Sequence, residues 1–145
     1  MAPRPRRAPR DAGLSVLVDT SAWVEYLRAT GSATNLAVRE RIREGAHLAT
    51  CDPVIMEVLA GGRSEHHVAE LRGLLARAQL VPTMPTDWDD AARIYRAARR
   101  QGVTVRRLVD CLIAAIALRS GEPVLHNDAD FDAIAQVVPL GVSRG

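Results

Sequence analysis

Four acidic residues stand at positions where the surrounding sequence is apolar. Asp19 ends one apolar run, Glu57 interrupts another, Asp110 opens a third, and Asp128 follows a short strand-like segment. A carboxylate that leaves water needs a compensating partner, and apolar segments rarely supply one. These four residues, called the acidic quartet below, therefore indicate a shared cation or a shared catalytic task.

The chemistry that the acidic quartet favours is that of a hard divalent cation. Carboxylate oxygens suit Mg²⁺ or Mn²⁺ better than Zn²⁺, and the chain contains neither Cys-x-x-Cys nor His-Glu-x-x-His. A cation held in this way can activate water and stabilise charge on a phosphoryl group during in-line displacement. Taken singly, Asp19 fits a strand-end cap, Glu57 a solvated helix face and Asp110 an acid of a first helical turn. The joint arrangement favours a metal site.

The elements that must position these acids alternate between strands and helices. Strand-like runs fall at residues 14–18, 46–50, 80–84, 123–127 and 137–140, and helical patterns at 21–29, 32–45, 52–61, 64–78, 86–100, 105–119 and 131–136. The expected N-caps include Ser21, Ser32, Ser64 and Thr86. This order predicts a three-layer α/β/α fold with a mainly parallel central sheet.

A parallel sheet explains how distant acids can meet. The carboxyl ends of its strands share one edge, where such folds place their sites. Asp19 and Asp128 fall at or just past strand ends, and Glu57 and Asp110 would face the same edge from two helices. The sequence therefore predicts that the acidic quartet gathers at one place.

Length and composition are those of one compact domain. The 145 residues include 48% hydrophobic but only 3% aromatic side chains, so the core must be mostly aliphatic. We expect a disordered basic arm at 1–13, the domain at 14–141 and a short tail at 142–145. No apolar stretch is long enough for a membrane span and no signal-peptide core follows the basic N-terminus, so we expect a cytoplasmic protein.

Four segments of the chain carry a resemblance to a known family. They are Leu-Val-Asp-Thr-Ser-Ala-Trp at 17–23, Glu-Val-Leu-Ala-Gly at 57–61, Asp-Cys-Leu-Ile-Ala-Ala at 110–115 and His-Asn-Asp-Ala-Asp-Phe at 126–131. The chain resembles PIN-domain ribonucleases, specifically the VapC toxins of bacterial type II toxin–antitoxin modules. The resemblance covers about residues 14–140, and its specificity lies in the order and spacing of the four segments.

The resemblance implies a PIN-like domain and a function. It implies an endoribonuclease that depends on Mg²⁺, with Mn²⁺ as a substitute, and that hydrolyses RNA phosphodiester bonds with metal-activated water. Such a toxin inhibits growth or translation until a cognate VapB-type antitoxin neutralises it. The family further implies a homodimer and a toxin–antitoxin hetero-oligomer. The acidic quartet of Asp19, Glu57, Asp110 and Asp128 falls on the family's metal-binding and catalytic acids.

Three further residues are candidates for supporting roles. Ser21 matches a hydroxyl that the family often uses to hold the metal or its water, and it also suits a helix N-cap. Asp130 suits an outer-sphere ligand or a cap for the short helix, and we favour the cap. Arg106 precedes Asp110 by one turn and can pair with it or with an RNA phosphate, although a solvated arginine is an equal alternative.

Basic and apolar residues near the site suggest where RNA and a partner would bind. An acidic site repels phosphate unless a metal neutralises it and basic side chains flank it. The candidates for the flanking side chains are Arg99, Arg100, Arg106, Arg107 and the basic arm. We expect the antitoxin groove near Trp23, Tyr26 and Leu27, whose helix follows the first acid of the quartet.

The sequence also bears on two alternative classes, Mg²⁺-dependent phosphoryl-transfer proteins and catalytically silent binding modules. Haloacid-dehalogenase-type phosphatases and response-regulator receivers also group aspartates around Mg²⁺, but both use a lysine near the phosphoryl group. All 19 basic residues of this chain are arginine, which excludes both families. The other alternative is a PIN fold kept as a catalytically silent binding module. Degenerate copies should lack one or more acids, whereas this chain keeps four.

Overall fold

The computed structural model describes residues 15–145, so the predicted basic arm at 1–13 lies outside the described residues. The strands are β1 (Val16–Val18), β2 (Leu48–Cys51), β3 (Gln79–Val81), β4 (Val124–Leu125) and β5 (Val142–Ser143). The helices are α1 (Thr20–Leu27), α2 (Ala33–Glu44), α3 (Asp52–Ala60), α4 (Glu65–Leu75), α5 (Pro85–Arg100), α6 (Leu108–Ser120) and α7 (Ala129–Ala135).

The five strands form one parallel sheet in the order β3-β2-β1-β4-β5. The chain runs outward from β1 through β2 to β3, then crosses back to β4 on the other side of β1 and continues to β5. Right-handed crossovers therefore place α1–α4 on one face and α5–α7 on the other. The packing agrees, because α1 contacts α2 and α3, whereas α6 contacts α5 and α7. The predicted three-layer α/β/α fold is confirmed.

Helix α6 is the central helix of the core. Every residue from Asp110 to Ala117 is buried, and Ile113 and Ile116 are fully enclosed. A helix that is apolar on all sides is stable in water only when other elements cover it completely. This burial fixes the first turn of α6, which carries Asp110. No helix within residues 15–145 has the length and apolar character needed to cross a bilayer.

Two of the predicted N-caps are confirmed and two are wrong. The Ser32 and Ser64 side chains each accept a hydrogen bond from a backbone N–H three residues later, at the starts of α2 and α4. Ser21, in contrast, lies inside α1, and Asp19 is the cap. Thr86 lies inside α5, whose cap residue is Met84. At both helix starts an aspartate makes the side-chain bond. Asp19 accepts the backbone N–H of Ser21, and Asp87 accepts the backbone N–H of Met84.

The strand predicted at 137–140 is also wrong. These residues turn out of α7, with the Val138 N–H bonded to the Ile134 carbonyl at 3.1 Å. Pro139 has no N–H to give to a strand ladder. Strand β5 follows instead within 142–145, the segment predicted as a tail, and pairs with β4.

Candidate active site

The acidic quartet lies at the point where the strand order of the sheet reverses, between β1 and β4. Strands β1 and β4 are neighbours, but the chain leaves them toward opposite edges of the sheet, and such switch points open a crevice at the carboxyl ends of the strands. Asp19 directly follows β1, and Asp128 comes three residues after the end of β4. Glu57 reaches the crevice from α3 and Asp110 from the first turn of α6.

Asp19 is a fully buried carboxylate with one oxygen held and one oxygen free. Its Oδ2 accepts hydrogen bonds from the backbone N–H of Ser21 at 2.9 Å and from the Ser21 hydroxyl at 2.6 Å. Its Oδ1 has no hydrogen-bond partner among the described residues. Burial raises the pKa of Asp19 to about 6, assisted by the charge of Glu57 and opposed by the bonds from Ser21.

Ser21 connects the ends of the two central strands. Its hydroxyl donates to Asp19 and accepts from the backbone N–H of Asn127 at 2.9 Å, just after β4. The side chain therefore orients the first acid against the β4 end. This geometry is compatible with the predicted supporting role, whereas the N-cap alternative is excluded because Asp19 is the cap.

Asp110 and Asp130 form a buried carboxyl pair. Burial, the hydrogen bond to Asp130 and the charge of Asp19 together raise the pKa of Asp110 to about 8. Burial also opposes ionisation of Asp130, but hydrogen bonds from Asp110 and from the backbone N–H groups of Arg106 and Arg107 outweigh it and lower the pKa of Asp130. Asp110 therefore keeps the shared proton near neutral pH.

The sequence favoured Asp130 as the cap of α7, and this interpretation is wrong. Asp128 is the cap, and its Oδ1 accepts the Asp130 N–H at 2.9 Å. Asp130 instead accepts the backbone N–H groups of Arg106 and Arg107 at 3.0 and 2.9 Å. Both residues lie outside the helix, and Arg107 is extended, so α6 begins at Leu108 and not at 105 as predicted.

Asp130 also joins the acids that lie closest together. One carboxylate oxygen each from Asp110, Asp128 and Asp130 lie within 4.8 Å of one another, a spacing that can hold a metal ion. Asp19 borders this group because its charge acts on Asp110. Glu57 is linked to the group through Arg107, which bonds to both Glu57 and Asp110. We call the quartet together with Asp130 the acidic pocket.

Two arginines compensate the charge of the acidic pocket. Arg106 bonds to Asp128 at 3.1 Å and to Asp130 at 3.3 Å, and not to Asp110 as the sequence suggested. Arg107 bonds to Asp110, Asp128 and Glu57.

The sequence indicated Arg107 only as a candidate to flank RNA. Its contact to Glu57, 50 residues away, has no local sequence signal. Only its position three residues before Asp110 hints at the pairing. Thr20, whose hydroxyl donates to Glu57 at 2.9 Å, also escapes sequence reasoning. The remaining candidates, Arg99 and Arg100, are exposed at the end of α5, and Arg99 lies over the ring of Tyr95.

A groove lined by both apolar and polar side chains adjoins the acidic pocket, but Trp23 does not line it. Trp23 is 0% exposed and belongs to the core, so that part of the predicted partner groove is wrong. The groove has a volume of about 430 Å³ and lies between α1, α3 and α4. Its lining includes Val24, Leu27, Glu57, Val58, Arg63 and Leu71. Since Glu57 belongs to both, a molecule bound in the groove would reach the acidic pocket.

The raised pKa of Asp110 predicts a pH-dependent stability. The folded protein holds a proton that the unfolded chain releases near pH 4, so this group should lower the free energy of unfolding as pH rises from about 4 to about 8. In EDTA, Asp110→Asn should be more stable than wild type at about pH 8, and the difference should shrink toward about pH 5. Urea unfolding of both proteins across this range tests the assignment, and a pH-independent difference would contradict it.

Comparisons with known proteins identify the family. A family model described as PIN domain matches residues 16–137. The chain is 47% identical over 127 residues to ribonuclease VapC11 of Mycobacterium tuberculosis, which covers 86% of this chain and 95% of the relative. It is 32% identical over 124 residues to ribonuclease VapC51 of the same organism, with 86% and 88% covered.

Solved structures share the fold. DNA-bound VapBC from Salmonella typhimurium matches with a TM-score of 0.72 and 18% identity, over 90% of this chain and 97% of that chain. VapBC2 from Rickettsia felis, bound to a promoter DNA fragment, matches with a TM-score of 0.71 and 14% identity, over 90% and 98%. The family model, the identity to VapC11 and the shared fold agree. The chain belongs to the PIN-domain family and, within it, to the VapC ribonucleases.

Proposed function

We propose that this protein is the toxin of a type II toxin–antitoxin module and an endoribonuclease that requires Mg²⁺ or Mn²⁺ held by Asp19, Glu57, Asp110 and Asp128. The observation that carries the metal requirement is the unpartnered Oδ1 of Asp19, a fully buried carboxylate oxygen beside other acids. A buried polar atom of this kind is costly unless something binds it, and an ion is one explanation. We also infer a cytoplasmic location, where RNA is translated.

The donor set fits a hard divalent cation. All the candidate ligands are carboxylate oxygens, and the two thiols of the described chain, Cys51 and Cys111, are buried and have raised pKa values because of burial. A cation bound here would supply a Lewis acid that lowers the pKa of water and neutralises charge on a phosphoryl group. Asp19 and Asp110 would hold it from β1 and α6, and Asp128 from the β4 side.

The chain's own residues prepare the site. Ser21 orients Asp19 through a hydrogen bond from its hydroxyl. Asp130 holds the two backbone N–H groups just before α6, and this positions Asp110 in the first turn of that helix. The proton on Asp110 must leave before that carboxylate can bind a cation, so cation affinity should rise with pH. Arg106 is 68% exposed at the rim of the acidic pocket, where its guanidinium can also bind an RNA phosphate.

Removal of one acid tests the activity. Asp19→Asn should reduce cleavage of total cellular RNA by at least about 100-fold in Mn²⁺, because the loss of a charged ligand costs several kcal/mol of transition-state stabilisation. Asp90→Asn, on the exposed surface of α5, is the matched control and should cleave like wild type. Wild-type cleavage should stop in EDTA and return with Mg²⁺.

The same assay separates an enzyme from a binding module. A silent module would cleave no RNA, and it need not bind Mn²⁺, which calorimetry measures. Cleavage that continues at full rate in EDTA, with contaminating nucleases excluded by the Asp19→Asn preparation, would contradict the metal mechanism.

We assign the antitoxin to the groove between α1, α3 and α4. The solved relatives named above are VapBC proteins, which supports a VapB-type partner. The groove combines apolar side chains with the charged ends of Arg28, Glu57 and Arg63. Leu27 at its edge is 45% exposed, which is unfavourable for a large aliphatic side chain unless a partner covers it. A partner segment lying there would reach Glu57, and with it the acidic pocket.

Substitution of Leu27 tests this assignment. Leu27→Glu should weaken binding of the cognate antitoxin by at least about 10-fold in calorimetry, because a charge would be buried in an apolar interface. Leu36→Glu changes an equally exposed leucine on α2 and should bind normally. Both variants should still cleave RNA when free of antitoxin. Equal affinity of the two variants would place the antitoxin elsewhere.

We assign the predicted homodimer to a second apolar surface. Met56, Trp88 and Leu108 are each about 60% exposed, and together they line a groove of about 480 Å³ between α3, α5 and α6. Aromatic residues and methionine are enriched in the cores of protein interfaces. A second copy seated on this surface would lie next to both acidic pockets.

Trp88→Asp should therefore convert a dimer into a folded monomer. Light scattering of wild type should give the mass of two chains, and the Leu36→Glu control should do the same. A wild type that is monomeric at high concentration, or a Trp88→Asp variant that stays dimeric, would refute the assignment.

A further inference from the structure

The guanidinium of Arg107 spans three carboxylates of the acidic pocket. Its Nε and Nη2 donate to the two oxygens of Asp110 at 3.3 and 3.0 Å. Its Nη1 donates to Glu57 at 3.0 Å, and Nη2 also reaches Asp128 at 3.4 Å. All three guanidinium nitrogens are therefore engaged with acids of the quartet. This planar fork matches paired carboxylates in a way that a point charge cannot.

These contacts use the oxygens that a divalent cation would need. Among the described residues, Asp19 Oδ1 is the one oxygen of the quartet that accepts no hydrogen bond. Both Asp110 oxygens and Asp128 Oδ2 are bonded to Arg107. Mg²⁺ binds carboxylate oxygens at about 2.1 Å in a demanding geometry, so the guanidinium and the cation compete for the same space.

The backbone allows Arg107 to leave without disturbing the fold. Arg107 is the cap residue before α6, in an extended conformation outside the helix. Its backbone N–H is held by Asp130 at 2.9 Å, whereas its side chain is 45% exposed. The side chain can therefore rotate toward solvent while α6 and Asp110 stay in place.

We propose that Arg107 is an internal counter-ion of the acidic pocket, which a divalent cation must displace toward solvent. This inference rests on the proposed function, because it requires that a cation binds the quartet. Arg107 stabilises the protein when no cation is bound by offsetting repulsion among the carboxylates. It also weakens cation binding, because it occupies the oxygens that the cation needs.

The neighbouring Arg106 provides a matched control. It also carries one positive charge at the rim and bonds to Asp128, but it touches neither Glu57 nor Asp110. Loss of either arginine removes a like charge from near the cation. Only loss of Arg107 frees the oxygens of Asp110 and Glu57, so the two variants separate direct competition from general electrostatics.

Arginine side-chain NMR tests the displacement directly. In protein labelled with ¹⁵N-arginine and kept in EDTA, one Nε–H signal should be protected from exchange and absent in Arg107→Gln. Titration with diamagnetic Mg²⁺ should move this signal to the position of exposed arginines. A signal that stays protected at saturating Mg²⁺ would overturn the proposal, while Mg²⁺ binding itself would leave the proposed function intact.

Mn²⁺ affinity supplies the second measurement. By calorimetry without RNA, Arg107→Gln should bind Mn²⁺ at least about 10-fold more tightly than wild type, and Arg106→Gln no more than about threefold. Thermal unfolding in EDTA should show that Arg107→Gln is less stable than wild type. An equal increase in Mn²⁺ affinity in the two variants would mean that Arg107 acts only through its charge, and this would refute direct competition with the cation. Failure of wild type and Arg107→Gln alike to bind Mg²⁺ or Mn²⁺ would refute both the metal site and this inference.

Discussion

Repulsion among the carboxylates of the acidic pocket is the constraint on which the rest of the site depends. Acids gathered in a buried crevice cannot all be ionised without compensation. Three features offset this repulsion: the raised pKa of Asp110, which keeps a proton on the pair that it forms with Asp130, the backbone N–H groups that hold Asp130, and the guanidinium groups of Arg106 and Arg107. A divalent cation can replace the proton and the guanidinium groups, whereas the backbone hydrogen bonds remain. The pocket is therefore stable by itself and still able to accept a cation.

Much of the fold follows from features that are visible in the sequence. Strand-like and helical runs alternate, and this order requires crossovers, which in turn require a parallel sheet with helices on both faces. The details that failed depend on tertiary contacts. Val137 and Val138 look like a strand, but they close the turn after α7, and the final strand is set by pairing with β4. From the sequence, Trp23 fits either the core or an interface, and in the structure it is fully buried in the core.

Part of the candidate site was also predictable from the order of strands and helices. Asp19 and Asp128 follow strands that are adjacent at the switch point, so topology alone brings them near each other. The orientation of Asp130 was not predictable, because its choice between capping α7 and holding the entrance to α6 depends on where α6 begins. The role of Arg107 was missed because it depends on Glu57, far away in the sequence. Its sequence neighbour Arg106 gave an equally strong local signal.

Anomalous diffraction from crystals grown with Mn²⁺ tests most directly whether the acidic pocket binds a divalent cation. We expect a manganese peak bounded by the carboxylates of Asp19, Asp110 and Asp128, with the Arg107 side chain turned toward solvent. The peak should be absent from Asp19→Asn crystals grown in the same way. A map without a peak in the pocket, at an Mn²⁺ concentration that supports RNA cleavage in solution, would contradict the account.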